Sequence, residues 1–495
     1  MSVNSKAYHP KGPSLLPLYE LIKQKRESYN GAAEEVSVFI NTPYYENRII
    51  TDQYDFLTQE LVESFTALKC LFKCKLDFEG TDIVGQLRIT DSFFEKEFTH
   101  YGATIEEDVK FNKTIFNDVV MFSGVTFEGT VDFYDAKFGQ SVKFIGCTFN
   151  KYVSFENTVF GDKVEFVRCT FEDAADFRLT DSYRDKTEMP YYHPMNCSFK
   201  DTTFKKKVIF YHRHFPECTF ENTKFEGLVD FYNTRFNAET RFYKTDFLET
   251  AVFSKAVFSA AVVFHYAKVA KNMILRETAF NGGVNMAYIN FISDGFLELF
   301  GLNIDTKGFV SVSAPLNYDI DQNDDWKTVT HYQKRETYRI LKHESLKQNN
   351  RIQALAYHAL EMEAYRIELR DNGCKWYEND RFITGFNRLS NNYGLSWRRG
   401  LGWLFGISVL GFIVYWLLLS SRPIIPTLDT TLSDTFMSVG KVIGYYLQFT
   451  NPAHDIEFME VYSGSWSYAT DILVRLIVGL LIYQTIQAFR KYGRF

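Results

Sequence analysis

Six basic side chains, Lys205, Lys206, Lys207, His212, Arg213 and His214, fall within ten positions of one another. Ammonium and guanidinium donors make charge-assisted hydrogen bonds to phosphate oxygens, so the chemistry that this cluster suits is anion binding, with a nucleotide or a short oligonucleotide as the ligand class. The bland alternative is a solvated basic turn. His212, His214 and Cys218 bring zinc to mind, but Cys218 falls on a core position of the repeat described below, so no metal site is expected. Cys70 and Cys74 lie four residues apart and have no second pair, which leaves them short of a metal-ligand set. Asp471 and Arg475 stand one helical turn apart in an otherwise apolar stretch. An ionisable group in such a stretch is a functional candidate by default, set against the simpler reading of an ion pair or of an arginine snorkelling at a helix end. No phosphate loop, no Gly-x-Ser-x-Gly elbow and no His-Glu-x-x-His motif is found, so the chain reads as a non-enzyme with no cofactor.

These groups must be positioned by a periodic scaffold. Phe111, Phe122, Phe133, Phe144, Phe155, Phe166 and Phe177 are each eleven residues apart, and Phe116, Phe127, Phe138, Phe149, Phe160 and Phe171 repeat the spacing five residues later. A fixed period marks a repeat architecture. Two residues before each Phe sits a small or β-branched residue, such as Val131, Ala136, Val142, Cys147 and Val153. Positions i−2 and i share one face of an extended segment, whereas a helix needs apolar residues at i, i+3 and i+4. One unit cannot bury its own apolar face, but stacked coils can, and each buried Phe contributes roughly 1.5–3 kcal/mol. Cys147, Cys169, Cys197 and Cys218 occupy the i−2 position and read as packing residues.

The units Phe122-Ser-Gly-Val-Thr-Phe127, Phe144-Ile-Gly-Cys-Thr-Phe149 and Phe166-Val-Arg-Cys-Thr-Phe171 resemble the pentapeptide-repeat family in its Phe-centred variant. The resemblance implies a mainly β protein, a right-handed four-sided β-helix with i−2 and i pointing inward. Soluble members that protect gyrase use an acidic, DNA-mimicking surface. Here Lys137, Lys143, Lys151, Lys163 and Arg168 intersperse the outward positions, so that mimicry is not expected.

Traced outward, the rhythm spans residues 72–312. Only His100 breaks the apolar rule upstream. Downstream, 178–198 is either a distorted coil or a protruding loop, and a one-residue slip follows around Arg213 to Pro216. Val269, Leu275, Phe280, Met286, Phe291, Leu297 and Leu302 continue the phase. Residues 1–71 are expected to form a helical N-terminal cap, with helices over Ser14 to Glu27 and Asp55 to Cys70. Residues 319–395 begin with an acidic linker, Asp319 to Asp325, and continue as two antiparallel helices that either close the C-terminal coil or act as a spacer. A basic, aromatic stretch, Trp376 to Asn391, suits an interfacial helix.

Residues 400–489 read as a membrane module. Gly400 to Ser421 is a run of 22 uncharged residues, long enough to span a bilayer. Tyr468 to Phe489 is a second span, and Gly402 and Gly406 suit close helix contact. Arg388, Arg398 and Arg399 precede the first span, and Arg490, Lys491 and Arg494 in the basic tail, 490–495, follow the second. The connecting loop is poor in Lys and Arg, so both termini are expected in the cytoplasm at the inner (plasma) membrane. Met1 to Leu16 lacks the apolar core of a signal peptide. The net charge of −6 gives no polycation for nucleic acid.

Between the spans, 428–462 is expected to re-enter the membrane around the apolar segment Phe436 to Phe449. Two spans with a pore loop resemble the potassium-channel pore module, and Val442-Ile443-Gly444-Tyr445 resembles part of its filter, in which carbonyls replace ion hydration. Lys441 precedes it, and a ring of lysines would favour anions. The resemblance implies a homo-oligomer, a tetramer by channel analogy, with Lys441, Val442, Ile443, Gly444, Tyr445, Asp471 and Arg475 as pore candidates. The alternative is a hairpin lying on the outer leaflet. Two functions compete: an oligomeric pore gated by a ligand or partner of the solenoid, in the layout of bacterial anti-phage effectors, and a membrane-anchored scaffold whose solenoid binds a protein.

Overall fold

The computed structural model describes residues 23, 26–28, 34–36, 44–51, 54–55, 61–62, 64–180, 195–313, 328–419, 432–454 and 464–489. The chain divides into two compact units, 1–312 with 316–329, and 313–315 with 330–495.

The first unit is a parallel β-solenoid. Short strands pair in register with the strand four places on in the chain, so the chain winds through four faces. Among the described residues three faces are sheets of 12, 11 and 11 strands, and the fourth comprises sheets of 7 and 5. Within the regular part Val120 pairs with Val142 and Val142 with Val164, one 22-residue coil at a time. The alternation of apolar and polar residues is what makes this possible: in Val142–Ile145, Val142 and Phe144 are buried while Lys143 and Ile145 face outward.

Stacking turns that alternation into columns. Phe122, Phe144, Phe166, Phe199, Phe220, Phe242 and Phe264 stand one above another, with centroids 4.9–5.2 Å apart and ring planes within 4°. That spacing is close to the separation of hydrogen-bonded strands, so offset-stacked aromatics fit without strain. In the i−2 column, hydroxyls bond to carbonyls of the preceding coil. Thr158 Oγ1 donates to Phe133 O at 2.8 Å and Thr278 Oγ1 to Phe253 O at 2.8 Å. The thiols of Cys147 and Cys169 do the same to Phe122 O and Phe144 O. Cys197 and Cys218 depart from the plain packing role: ladder partners with Cα atoms 4.8 Å apart, they form a disulfide.

His100 takes a Phe position and is fully buried. Its Nε2 bonds to Thr81 O at 3.2 Å, and its ring lies 5.4 Å from that of Phe78. Burial pushes its pKa down to about 4, because a charged imidazole would lose its hydration among phenyl rings.

The solenoid starts earlier than expected. In place of a helix over Asp55 to Cys70, strands Tyr54–Asp55, Leu61–Val62 and Phe65–Leu68 join the ladders, and Glu34–Val36, Tyr44–Glu46 and Arg48–Ile50 precede them. Phe65 and Ala67 are buried and pair with Leu87 and Ile89, so their spacing belongs to the coil and not to a helix. Of Ser14 to Glu27, Lys23, Arg26 and Glu27 are described, and they are helical. At the other end the final coil is two residues longer: Phe280 pairs with Ile304. Leu299 is buried while Leu302 is half-exposed. The last ladder strand is Asn303–Ile304.

The second unit is helical. His331–Lys347, opened by a capping box on Thr330, turns back into Arg351–Asp371. Lys342 to Glu361 (2.6 Å), Arg335 to Glu368 (2.9 Å) and His331 to Asp371 (2.8 Å) cross-link this antiparallel pair. Asn379–Asn391, Trp397–Leu417, Leu432–Thr450 and Ser465–Phe489 follow. The acidic linker 319–325 and the basic tail 490–495 lie outside the described residues.

Candidate functional site

Trp397–Leu417 and Ser465–Phe489 are long and apolar enough to span a membrane. They run antiparallel. Trp397 stacks on Phe489 at 5.3 Å, and at the same end Asn391 Nδ2 donates to Gln484 O and Oε1 at 2.9 and 2.6 Å. The close approach is made at Gly400 and Gly411, where an added Cβ would lie 2.5 Å from Thr485 Oγ1 and 2.7 Å from a Val474 methyl. Gly402 and Gly406, the pair singled out by its spacing, have open space beside them. Gly402 and Gly406 have the four-residue small-xxx-small spacing, whereas Gly400 and Gly411 lie eleven apart, about three helical turns, and it is the facing helix that selects the latter.

Residues Leu432–Thr450 form one continuous helix. Val442, Ile443, Gly444 and Tyr445 are therefore helical, and helical carbonyls are consumed by the i+4 amides. They do not form the extended, carbonyl-lined ladder of a filter. Val442 and Tyr445 pack against the core formed by Phe412, Tyr415, Leu419, Phe449, Val474 and Val478. Lys441, Ile443 and Gly444 are on the exposed face. Ser408 Oγ and Tyr446 Oη are hydrogen-bonded at 2.8 Å, and Phe449 lies 5.1 Å from Tyr415. Residues 408–416 of the first span thus meet residues 445–449, so the Leu432–Thr450 helix packs against the C-terminal half of the first span. Of the expected re-entrant segment, 428–431 and 455–462 lie outside the described residues.

Asp471 and Arg475 do meet: Arg475 Nη2 lies 2.6 Å from Asp471 Oδ2. His454 is a third member of the group. Its Nε2 lies 3.2 Å from Asp471 Oδ1, and its carbonyl accepts from Arg475 Nη1 at 2.8 Å. All three side chains are largely buried. The cluster pins the turn after the Leu432–Thr450 helix to the second span. His454 sits in a non-periodic turn, where no spacing signal could place it.

In the solenoid the basic cluster does not converge. Lys205 pairs with Glu172 at 2.7 Å, and that carboxylate holds its pKa above the ordinary lysine value. Lys206 and Lys207 are exposed. His212 sits at a left-handed corner (φ 60°) with its Nδ1 2.9 Å from Asn233 Nδ2. His214 is buried beside Arg235 in the ladder. Cys218 is bonded to Cys197, so the zinc alternative lacks its thiolate.

Arg213 is the largest fully buried side chain among the described residues, and its role is structural. It stands in the small-residue column two before Phe215, where, among the described residues, the fourth face passes from its first sheet to its second. That face's first sheet ends at Val159–Phe160 and its second begins at His214–Phe215. Here the coil is irregular: Val164 pairs with Cys197, 33 residues on, and Cys197 with Cys218, 21 on. The guanidinium donates to Phe155 O (2.8 Å), Thr158 O (2.7 Å) and Phe177 O, and lies over the Phe160 ring. One coil earlier the equivalents of the first two acceptors are met by Thr158 Oγ1 and by the Val159 amide. Arg213 thus replaces a hydroxyl and a strand amide at once. Of 178–198, residues 181–194 lie outside the described residues.

A family model of pentapeptide repeats (9 copies) matches residues 101–137, 133–181 and 220–268. No curated protein matches the chain, and no solved structure does.

Proposed function

We propose that this protein is a non-enzymatic, membrane-anchored scaffold, in which the pentapeptide-repeat solenoid presents a rigid surface to a protein partner. One observation carries the reading. A polar-faced solenoid shares its chain with two antiparallel helices whose outer faces are apolar and exposed, Phe405, Leu410 and Leu417 on one and Leu473, Leu476 and Leu480 on the other. An apolar surface of that extent fits lipid. Basic residues flanking both spans favour the solenoid on the cytoplasmic side of the inner membrane. Ladder stacking holds Cys197 and Cys218 at bridging distance in any compartment, and joining them takes an oxidant, so this bond is the feature that pulls against the cytoplasmic side.

Carbonate washing of membranes tests the anchor. The full chain is expected to stay in the pellet, and a chain ending before Trp397 is expected in the supernatant. Release of the full chain by carbonate would overturn the reading.

A second reading, an oligomeric ion pore with an anti-phage role, is favoured by one feature. The Leu432–Thr450 helix keeps a face, Phe436, Lys441, Ile443 and Leu447, that nothing in the chain covers among the described residues. In this reading Lys441 lines a path between copies, and a nucleotide or oligonucleotide on the solenoid gates it. Planar-bilayer recording separates the two: currents whose selectivity shifts in Lys441→Glu support the pore, and currents indifferent to that change reject this lining.

A further inference from the structure

We infer that the elbow between the Asn379–Asn391 helix and the first span is a binding site for the phosphate of an anionic phospholipid. The inference rests on the membrane reading given above. A cleft of about 520 Å³ opens there, lined by Arg388, Leu389, Asn392, Arg399 and Trp403. The turn that shapes it, Asn392, Tyr393 and Gly394, has three successive left-handed residues, with φ of 53°, 55° and 85°. This bend folds the amphipathic helix back against the start of the span, so that side chains from both face one space.

The lining has the chemistry of a headgroup site. Two guanidiniums border one cleft, and like charges at short range favour an anion between them. Guanidinium offers a planar pair of donors that matches phosphate oxygens. Arg388 is part-anchored by Glu363, 3.2 Å from its Nε, and remains half-exposed; Arg399 is exposed. The Asn392 amide adds neutral donors. The remaining walls are apolar and open to the outside: Leu389 is 60 % and Trp403 46 % exposed. Trp403 and Phe405 begin the exposed apolar belt of the span, and Trp is favoured where headgroups meet acyl chains. A free phosphate compound would use the arginines and leave Leu389 and Trp403 wet. A phospholipid uses both halves.

Native mass spectrometry of the detergent-solubilised full chain, titrated with phosphatidylglycerol, phosphatidylcholine or glycerol 3-phosphate, tests this. Phosphatidylglycerol is expected to bind at least tenfold more tightly than phosphatidylcholine, with no adduct from glycerol 3-phosphate. Arg399→Gln should weaken phosphatidylglycerol several-fold and Arg388→Gln/Arg399→Gln by roughly tenfold or more. Arg398→Gln should change nothing, since that guanidinium lies over Trp397 outside the cleft. Equal binding of the two lipids, or an undiminished Arg399→Gln, overturns the site. Binding of glycerol 3-phosphate as tight as that of phosphatidylglycerol overturns the lipid assignment. The carbonate wash of the membranes before solubilisation reads the anchor separately: a chain that resists the wash yet ignores headgroup charge loses the site and keeps the anchor.

Discussion

The inward columns of the solenoid and the helical unit bury charge in different ways, whereas on the solenoid's outer face the buried Asp176 pairs with Arg178 as charges do in the helical unit. In the solenoid Arg213 is surrounded by main-chain carbonyls and a phenyl ring. In the helical unit the buried charges answer one another through side chains: Asp471 with Arg475 and His454, and Glu361 with Lys342. The solenoid interior is otherwise a sum of near-identical columns, so its stability is spread over coils, as in other repeat arrays. The helical unit depends on a few specific pairs. A lesion should therefore be local and graded in the first unit, and should depend on the partner in the second.

Arg213→Ala is the sharpest attack on that contrast. It strips donors from three buried carbonyls and leaves a cavity, at a cost of about 5 kcal/mol from the unsatisfied acceptors together. Thr234→Ala, one coil on in the same column, removes a single hydroxyl bond to Phe210 O and should cost about 1 kcal/mol. Hydrogen exchange of the full chain reads both: protection of the amides of 155–160 should collapse in Arg213→Ala, while coils beyond Phe253 hold. Equal effects from the two substitutions would remove the special role of Arg213.

In the helical unit the expectation inverts. Asp471→Leu leaves Arg475 buried against a leucine and should cost about 3–5 kcal/mol, whereas Asp471→Leu/Arg475→Leu should return to within about 1–2 kcal/mol of the parent, because removing both charges removes the desolvation penalty too. Detergent-titrated unfolding of the full chain, followed by helical circular dichroism, measures the cycle. If the double substitution is as damaging as the single one, the pair acts through something other than mutual neutralisation.

His100 tests whether a polar residue in the apolar columns carries a pH-dependent cost. Its pKa falls to about 4 in the folded chain, against about 6.5 unfolded. Between those values the unfolded state binds a proton that the native state refuses, so stability falls as pH drops from about 6.5 to 4, by about 3 kcal/mol in all. His100→Phe should abolish this dependence and fit the stack. Thermal melts of both chains at pH 7 and pH 4.5 compare them; equal acid sensitivity would place the titration elsewhere.

What the sequence made legible follows the same division. The period of the Phe columns is repeated many times, and it gave the ladders, the buried faces and even the place of the irregular coil, because every coil obeys the same geometry. The helix expected over Asp55 to Cys70 failed because Leu61, Phe65 and Leu68 keep helical spacing over a short window, although only Phe65 of the three falls on an inward position of the coil; Leu61 and Leu68 stand beside Asp82 and Thr90 in the ladders. Arg213 has the residue type of a surface ligand for phosphate, and only the main-chain carbonyls of Phe155, Thr158 and Phe177 hold it inward. Asp471 and Arg475 were legible because a helical turn fixes their distance. His454 and the choice of Gly400 and Gly411 over Gly402 and Gly406 depend on tertiary partners, which no local spacing encodes.

The smallest effect lies at the corners. From Lys69 to Arg168 a left-handed residue recurs every eleven positions, alternating between a mixed series, Lys69, Asp91, Lys113, Asp135 and Asn157, and a glycine series, Gly80, Gly102, Gly124 and Gly146. The backbone demand is the same in both, with φ of 57° at Lys113 and 65° at Gly124. A side chain in that region costs roughly 1–2 kcal/mol, offset in part by the greater freedom that glycine loses on folding. Lys113→Gly should therefore stabilise by about 0.5–1 kcal/mol, and Gly124→Ala should destabilise by a similar amount, although a Cβ there would have no neighbour closer than 3.8 Å. Denaturant melts of the two chains would show opposite shifts of similar size. Shifts of the same sign would mean that the two corner series carry different loads, and the equivalence of coils on which the solenoid's graded response depends would fail at its simplest point.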